Sequence, residues 1–165
     1  MNNELKKISG SVLGIGLSNK EQQIIDKNDK VIECYLLNSN STTSLGNSKE
    51  YTKVIDIKKI RKIFRKKSFD YIICNFEELK PYLRSFIKNS IYLSRNKIYF
   101  YSINDFELEE LKNRYTRYGS NVEIKKDLFI VDNNNSKTNI FKNIFYYFCD
   151  LIYDVIDYIG KMLVN

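Results

Sequence analysis

Apolar residues in this chain fall in short runs, separated by polar segments or by stretches with apolar positions three or four apart. The runs over 11–17, 30–38, 51–57, 68–76 and 96–102 are too short for buried helices. They are rich in Ile, Val, Tyr and Phe, so each reads as a strand. The segment 121–132 reads as one further strand or two short ones. Between the runs the period lengthens. Ile24 and Ile25 mark a short helix over 19–29, and Ile57, Ile60 and Phe64 mark another over 58–67. The stretch 77–89 reads as a helix with Pro81 in its first turns, where a missing N–H costs least. The stretch 104–119 carries both of its boundaries. Asn104 or Asp105 supplies the N-cap, acids come early, bases come late, and Gly119 ends it. The polar stretch 39–50, with Gly46, reads as loop.

Strands alternating with helices predict an α/β domain over 1–132. Its sheet should be mainly parallel, because parallel neighbours need crossover connections. The tail departs from this pattern. Residues 133–137 read as a polar linker and 138–165 as one amphipathic helix. Phe141, Ile144, Phe145, Phe148, Leu151, Ile152, Val155, Ile159 and Met162 form its apolar stripe. A sheet of this kind needs cover on both faces, so the stripe is expected to pack on the sheet. A homodimer through this helix is the alternative. Asp150, Asp154 and Asp157 argue against a transmembrane span, since each would cost a few kcal/mol in lipid.

Composition changes the picture in two places. The net charge of +7 goes with 27 Lys and Arg in a chain that also holds 19 Asn and a single Pro. That balance fits an AT-rich coding bias, so the charge by itself is weak evidence for a polyanionic partner. Seven cations do cluster at Lys58, Lys59, Arg61, Lys62, Arg65, Lys66 and Lys67. A nucleic acid or anionic surface could use them, but a solvated helix face is the favoured reading. The chain has no His, and its three cysteines, Cys34, Cys74 and Cys149, lie in apolar runs without CxxC spacing. A zinc site is therefore not expected, and Ser-His or Cys-His nucleophile pairs are excluded. The opening "MNNELKKISG" has no apolar h-region, so a cytoplasmic location is expected.

Two local patterns carry a family likeness. "VLGIGLSN" runs from a strand directly into Gly14-Ile15-Gly16, and "KSFDYIICNFEEL" is a buried strand with Asn75 at its carboxyl end and a helix after it. With "NKIYFY" and "NVEIKKDLFIVD" in the following positions, residues 8–132 resemble the class I S-adenosylmethionine-dependent methyltransferases. The resemblance implies a three-layer Rossmann-like fold, with the C-terminal helix as an addition. It implies S-adenosylmethionine as cofactor and Gly14, Gly16, Ser18, Asn38, Asp56 and Asn75 as binding residues. Asp56 stands where the family often has an acid near the adenine amine.

The chain also departs from that pattern. Only Gly16 falls on one of the three glycine positions of the family's loop, with Ser18 and Lys20 on the other two. Gly14 replaces the usual acid, and "CYLLN" ends the second strand without the carboxylate that binds the ribose. The expected function is a methyltransferase-like protein that binds S-adenosylmethionine or a related nucleoside, with unknown acceptor and general base. The alternative is a non-catalytic descendant that works through its C-terminal and basic helices. Crevices at the carboxyl ends of parallel strands are where such folds take ligands, which favours Asn75 and not Asp70 at the opposite end.

Overall fold

The computed structural model describes residues 1–37, 60–126 and 128–133, together with Phe148, Ile152, Val155, Ile156 and Ile159 of the tail. The strand expected over 51–57, and Asn38 and Asp56 with it, lie outside the described residues. The elements are α1 (Asn2–Leu5), β1 (Gly10–Ile15), α2 (Asn19–Asp26), β2 (Val31–Leu37), α3 (Ile60–Ile63) and β3 (Phe69–Asn75). After them come α4 (Phe76–Leu79), a 3-10 turn (Lys80–Tyr82), α5 (Leu83–Leu93), β4 (Ser94–Tyr101), α6 (Asp105–Arg117), β5 (Asn121–Lys125) and β6 (Leu128–Asp132). The strands form one six-stranded sheet in the order β2-β1-β3-β4-β6-β5. The first four are mutually parallel, and β6 runs antiparallel to both β4 and β5.

Alternation along each strand divides the core into two layers. Leu13, Ile15, Ile72, Cys74, Ile98, Phe100, Phe129 and Val131 face one side, where they are buried with side chains of α3 to α6. Val12, Ile73, Tyr99, Tyr101, Leu128 and Ile130 face the other, where they are buried with Leu5, Ile8, Leu17 and Ile25. Strands buried on both faces read as continuous apolar runs, which is why "SVLGI" and "YIIC" carry no polar alternation. Phe100 is central to the first layer. It lies in edge contact with Phe86 and Phe129 and tilted against Tyr115, whose hydroxyl meets Ser90 Oγ at 2.7 Å.

Three expectations are corrected here. The basic segment has a helix of only four residues, Ile60–Ile63, among its described positions. Ile60 is buried and Phe64 packs on the core as expected, but two of the cations hold structure together. Arg61 lies over the Tyr92 ring, 4.7 Å from its centroid, and donates to the Lys88 carbonyl at 2.6 Å. Lys67 Nζ donates to the Ser94 carbonyl at 2.7 Å. The helix over 77–89 is divided, because Pro81 sits in a 3-10 turn between α4 and α5. A proline ring inside a continuous helix would clash with the carbonyl four residues back. Finally, the tail residues that the structure describes are helical, but Phe148, Ile152, Val155, Ile156 and Ile159 are exposed by between 47% and 62%. At these positions the stripe does not cover the sheet.

A polar cluster ties the amino ends of the strands together. Asp70 accepts from the Ser11 N–H at 2.9 Å and from Arg95 Nη1 at 2.7 Å, and Arg95 Nη2 reaches the Lys67 carbonyl at 3.0 Å. Gly10, at φ +78°, leaves the space that the Asp70 carboxylate fills. Asn133 is buried and donates to the carbonyls of Ile91 and Ser94, which fixes the exit of β6. Asp70 is thus a structural residue remote from the carboxyl ends. Asp70→Ala is expected to lower unfolding free energy by about 1–3 kcal/mol, because it strands a main-chain donor and a guanidinium together. Arg95→Ala should cost only about 0–1 kcal/mol, since the pair is partly exposed. Urea unfolding of both variants checks the ranking.

Candidate functional site

Strand order fixes where a ligand crevice can form. From β1 the chain crosses by α2 to β2 on one side, while β3 and β4 lie on the other. The carboxyl ends of β1 and β3 therefore flank the point where the winding reverses, the position at which open α/β sheets take ligands. Ile15 pairs with Cys74 there, which brings Gly16 beside Asn75. A Cβ placed on Gly16 would lie 3.2 Å from the Asn75 Cβ. Two of the residues expected at the site are thus neighbours. Asn75 is half-buried and its side chain caps α4, accepting from the Glu77 N–H at 3.2 Å.

The turn after β1 is built on one left-handed residue. Gly16 has φ +63°, its N–H donates to the Leu37 carbonyl at 3.0 Å, and its carbonyl accepts from the Tyr101 hydroxyl at 3.2 Å. Ser18 then caps α2. Its N–H donates to Glu21 Oε2 at 2.8 Å, and its hydroxyl is bonded to the same oxygen. Gln22 Nε2 holds the Leu17 carbonyl at 2.8 Å. Glu21 and Gln22 are both buried, each bonded back to the residues that lead into α2.

Both glycines have their bare faces covered by the chain itself. On Gly14 a Cβ would meet Leu17 Cδ1 at 2.5 Å and Leu36 Cδ2 at 2.8 Å. On Gly16 it would meet Glu78 Cγ at 2.6 Å and Glu78 Cβ at 2.8 Å. Gly14 thus has a packing role, admitting Leu17 and Leu36 over β1. The backbone of the turn suits the close approach of a nucleoside cofactor. Its side chains as they stand do not, because the space over Gly16 holds Glu78. The last described residues of β2, Leu36 and Leu37, bring no carboxylate either.

Two titratable groups here hold their protons. Burial, with Glu21 nearby, holds the Tyr101 hydroxyl well above its ordinary range. Burial also pushes the Cys74 thiol up. Both stay protonated at neutral pH, so Tyr101 serves as a donor and Cys74 as a small apolar side chain.

With this geometry in view, solved structures similar to this chain include two of one methyltransferase. One is the MycE methyltransferase from the mycinamycin biosynthetic pathway in complex with Mg, SAH and mycinamycin VI. It superposes with a TM-score of 0.53 at 10% identity, over 81% of this chain and 44% of that one. The other is MycE with Mg and SAH, with a TM-score of 0.52, the same identity and the same coverage. The fold is methyltransferase-like. The chain spans less than half the length of these neighbours. No family model matches it, and no curated protein matches it in sequence.

Sequence reasoning missed Glu21, Glu78 and Tyr101. The Ser18-x-x-Glu21 spacing is a readable capping-box signature. Glu78 and Tyr101 gave no local signal, because each reaches Gly16 from a distant element. Gly16→Ala should destabilise the chain by more than the roughly 1–2 kcal/mol of a left-handed residue, since its Cβ would also meet Glu78. In a Glu78→Ala background, part of the steric share should return and none of the backbone share. Paired urea titrations separate the two.

Proposed function

We propose that the chain is a methyltransferase-like protein that takes S-adenosylmethionine or a related nucleoside weakly, in the crevice between the carboxyl ends of β1 and β3. The observation that carries this reading is the left-handed Gly16 beside Asn75 at the point where the sheet's winding reverses. Gly16 and Asn75 are its nearest walls, Ser18 holds the loop, and Asn38 and Asp56 remain the residues assigned to ribose and adenine. Similarity to the MycE fold, which was solved with SAH, supports the choice of nucleoside. No step of chemistry is assigned to Tyr101 or Cys74, since both hold their protons.

Thermal unfolding of the full chain with S-adenosylmethionine and S-adenosylhomocysteine tests the reading. A ligand at a hundred times its dissociation constant adds about 2.7 kcal/mol, so even weak binding should raise the midpoint at millimolar ligand. Asn75→Ala should reduce that rise. A midpoint indifferent to both nucleosides at saturating concentrations removes the reading.

A second reading concerns the exposed tail residues. Phe148, Ile152, Val155 and Ile159 recur every three or four residues, a period that suits contact with another helix. A non-catalytic interaction module would use this stripe. In that case Phe148→Glu with Ile152→Glu should shift the sedimentation of the full chain to that of a single copy. A wild-type chain that already sediments as a monomer at high concentration counts against self-pairing.

A further inference from the structure

The cations of the basic segment fall into two groups. Arg61 and Lys67 are committed to the fold, one over the Tyr92 ring and on the Lys88 carbonyl, the other on the Ser94 carbonyl. Lys62, Arg65 and Lys66 are exposed, and among the described residues no carboxylate pairs with them. Asp70, the next acid along the chain, is already engaged by Arg95 at 2.7 Å. The charge of these three side chains is therefore not neutralised within the fold.

An apolar side chain stands among them. Ile63 is 52% exposed, although Ile60 is fully buried and Phe64 makes edge contacts with the rings of Tyr35 and Phe69. The backbone that presents Ile63 is held on both sides. The Phe64 N–H donates to the Ile60 carbonyl at 3.0 Å, the Lys67 N–H to the Tyr92 carbonyl at 2.9 Å, and Ser68 Oγ to the Arg65 carbonyl. A single exposed isoleucine needs no explanation. One fixed between three unpaired cations has the make-up of a segment that lies in a bilayer interface.

We infer that residues 62–66 dock the chain on an anionic phospholipid surface. Lys62, Arg65 and Lys66 meet the headgroups, and Ile63 enters the boundary with the acyl chains. A nucleic acid would satisfy the cations but leave Ile63 in water. The one aromatic of the segment, Phe64, packs on the core and offers no stacking platform. The segment leads into the amino end of β3, so this surface lies at the opposite end of the sheet from the crevice and does not depend on the nucleoside reading. Each Lys or Arg near an anionic leaflet strengthens binding about fivefold, so three together contribute about a hundredfold.

Co-sedimentation of the full chain with vesicles of phosphatidylcholine, with and without phosphatidylserine, tests the inference. Binding should require phosphatidylserine and weaken as salt is raised. Lys62→Glu, Arg65→Glu and Lys66→Glu combined should lose at least about a hundredfold in affinity, and Ile63→Ser about fivefold. The control reverses Lys6, Lys27 and Lys30 to Glu, three exposed cations around α1 and α2, and should stay close to wild type. Thermal melts confirm that each variant is folded, and the matching Gln replacements stand in for a Glu set that is not. Absence of binding to phosphatidylserine vesicles, or equal binding to both kinds, overturns the inference. A control that loses as much as the patch variant also overturns it, by reducing the attraction to net charge. If Ile63→Ser binds vesicles like wild type while a single-stranded oligonucleotide binds the patch more tightly, the partner is nucleic acid and the lipid assignment falls.

Discussion

The parallel pairing of β1 with β3 is the constraint on which the rest of the structure depends. Ile15 opposite Cys74 sets both carboxyl ends at one level, and everything at the candidate site is measured from there. The pairing holds because β1 is apolar on both faces and buried in two core layers at once. At the amino ends the Asp70 carboxylate bridges from β3 to the Ser11 N–H and to Arg95, which helps to hold the register. A one-residue slip would turn Leu13 and Ile15 to the face of Val12 and break that bridge. Order at one end of the sheet thus supports the turn at the other.

The fold was legible because its signals are local. Buried parallel strands show as unbroken apolar runs, and β3 and β4 lie close to where "SFDYIICNF" and "NKIYFYS" placed them. The start of α6 was written in Asn104, whose side chain accepts from the Glu107 N–H at 2.9 Å. Where the expectations slipped, a long-range term had won over a local one. Among the described residues of the basic run the helix stops at Ile63, and beyond it Lys67 donates to the Ser94 carbonyl of β4. Asn133 read as linker yet is buried, because its amide closes carbonyls at Ile91 and Ser94 that nothing near it in sequence could indicate.

The candidate site was half legible for the same reason. Glycine positions and the strand-end asparagine can be seen in a linear string, since they record what the backbone must do. What covers a glycine cannot. Leu36 over Gly14 and Glu78 over Gly16 come from β2 and α4, and only the sheet order brings them there. A Gly-x-Gly after a strand is therefore ambiguous in principle. The same missing side chain admits a ligand in one protein and a neighbouring residue in another, and Gly14 shows the second outcome.

The first turn of α2 bears on the proposed nucleoside reading through its charge. Helix amino termini in doubly wound sheets attract phosphate, because their free N–H groups and the helix dipole favour an anion. Here the Ser18 N–H just ahead of that turn already has a carboxylate of the chain's own as partner. Glu21 accepts from the Ser18 N–H and hydroxyl, and the carboxylate is buried where it does so. A phosphate approaching this turn would meet a like charge and would have to break both bonds. A nucleoside without phosphate meets neither obstacle, and a cationic substituent would be drawn toward Glu21. On the proposed nucleoside reading, the capping box that stabilises α2 would disfavour a phosphate beside Gly16.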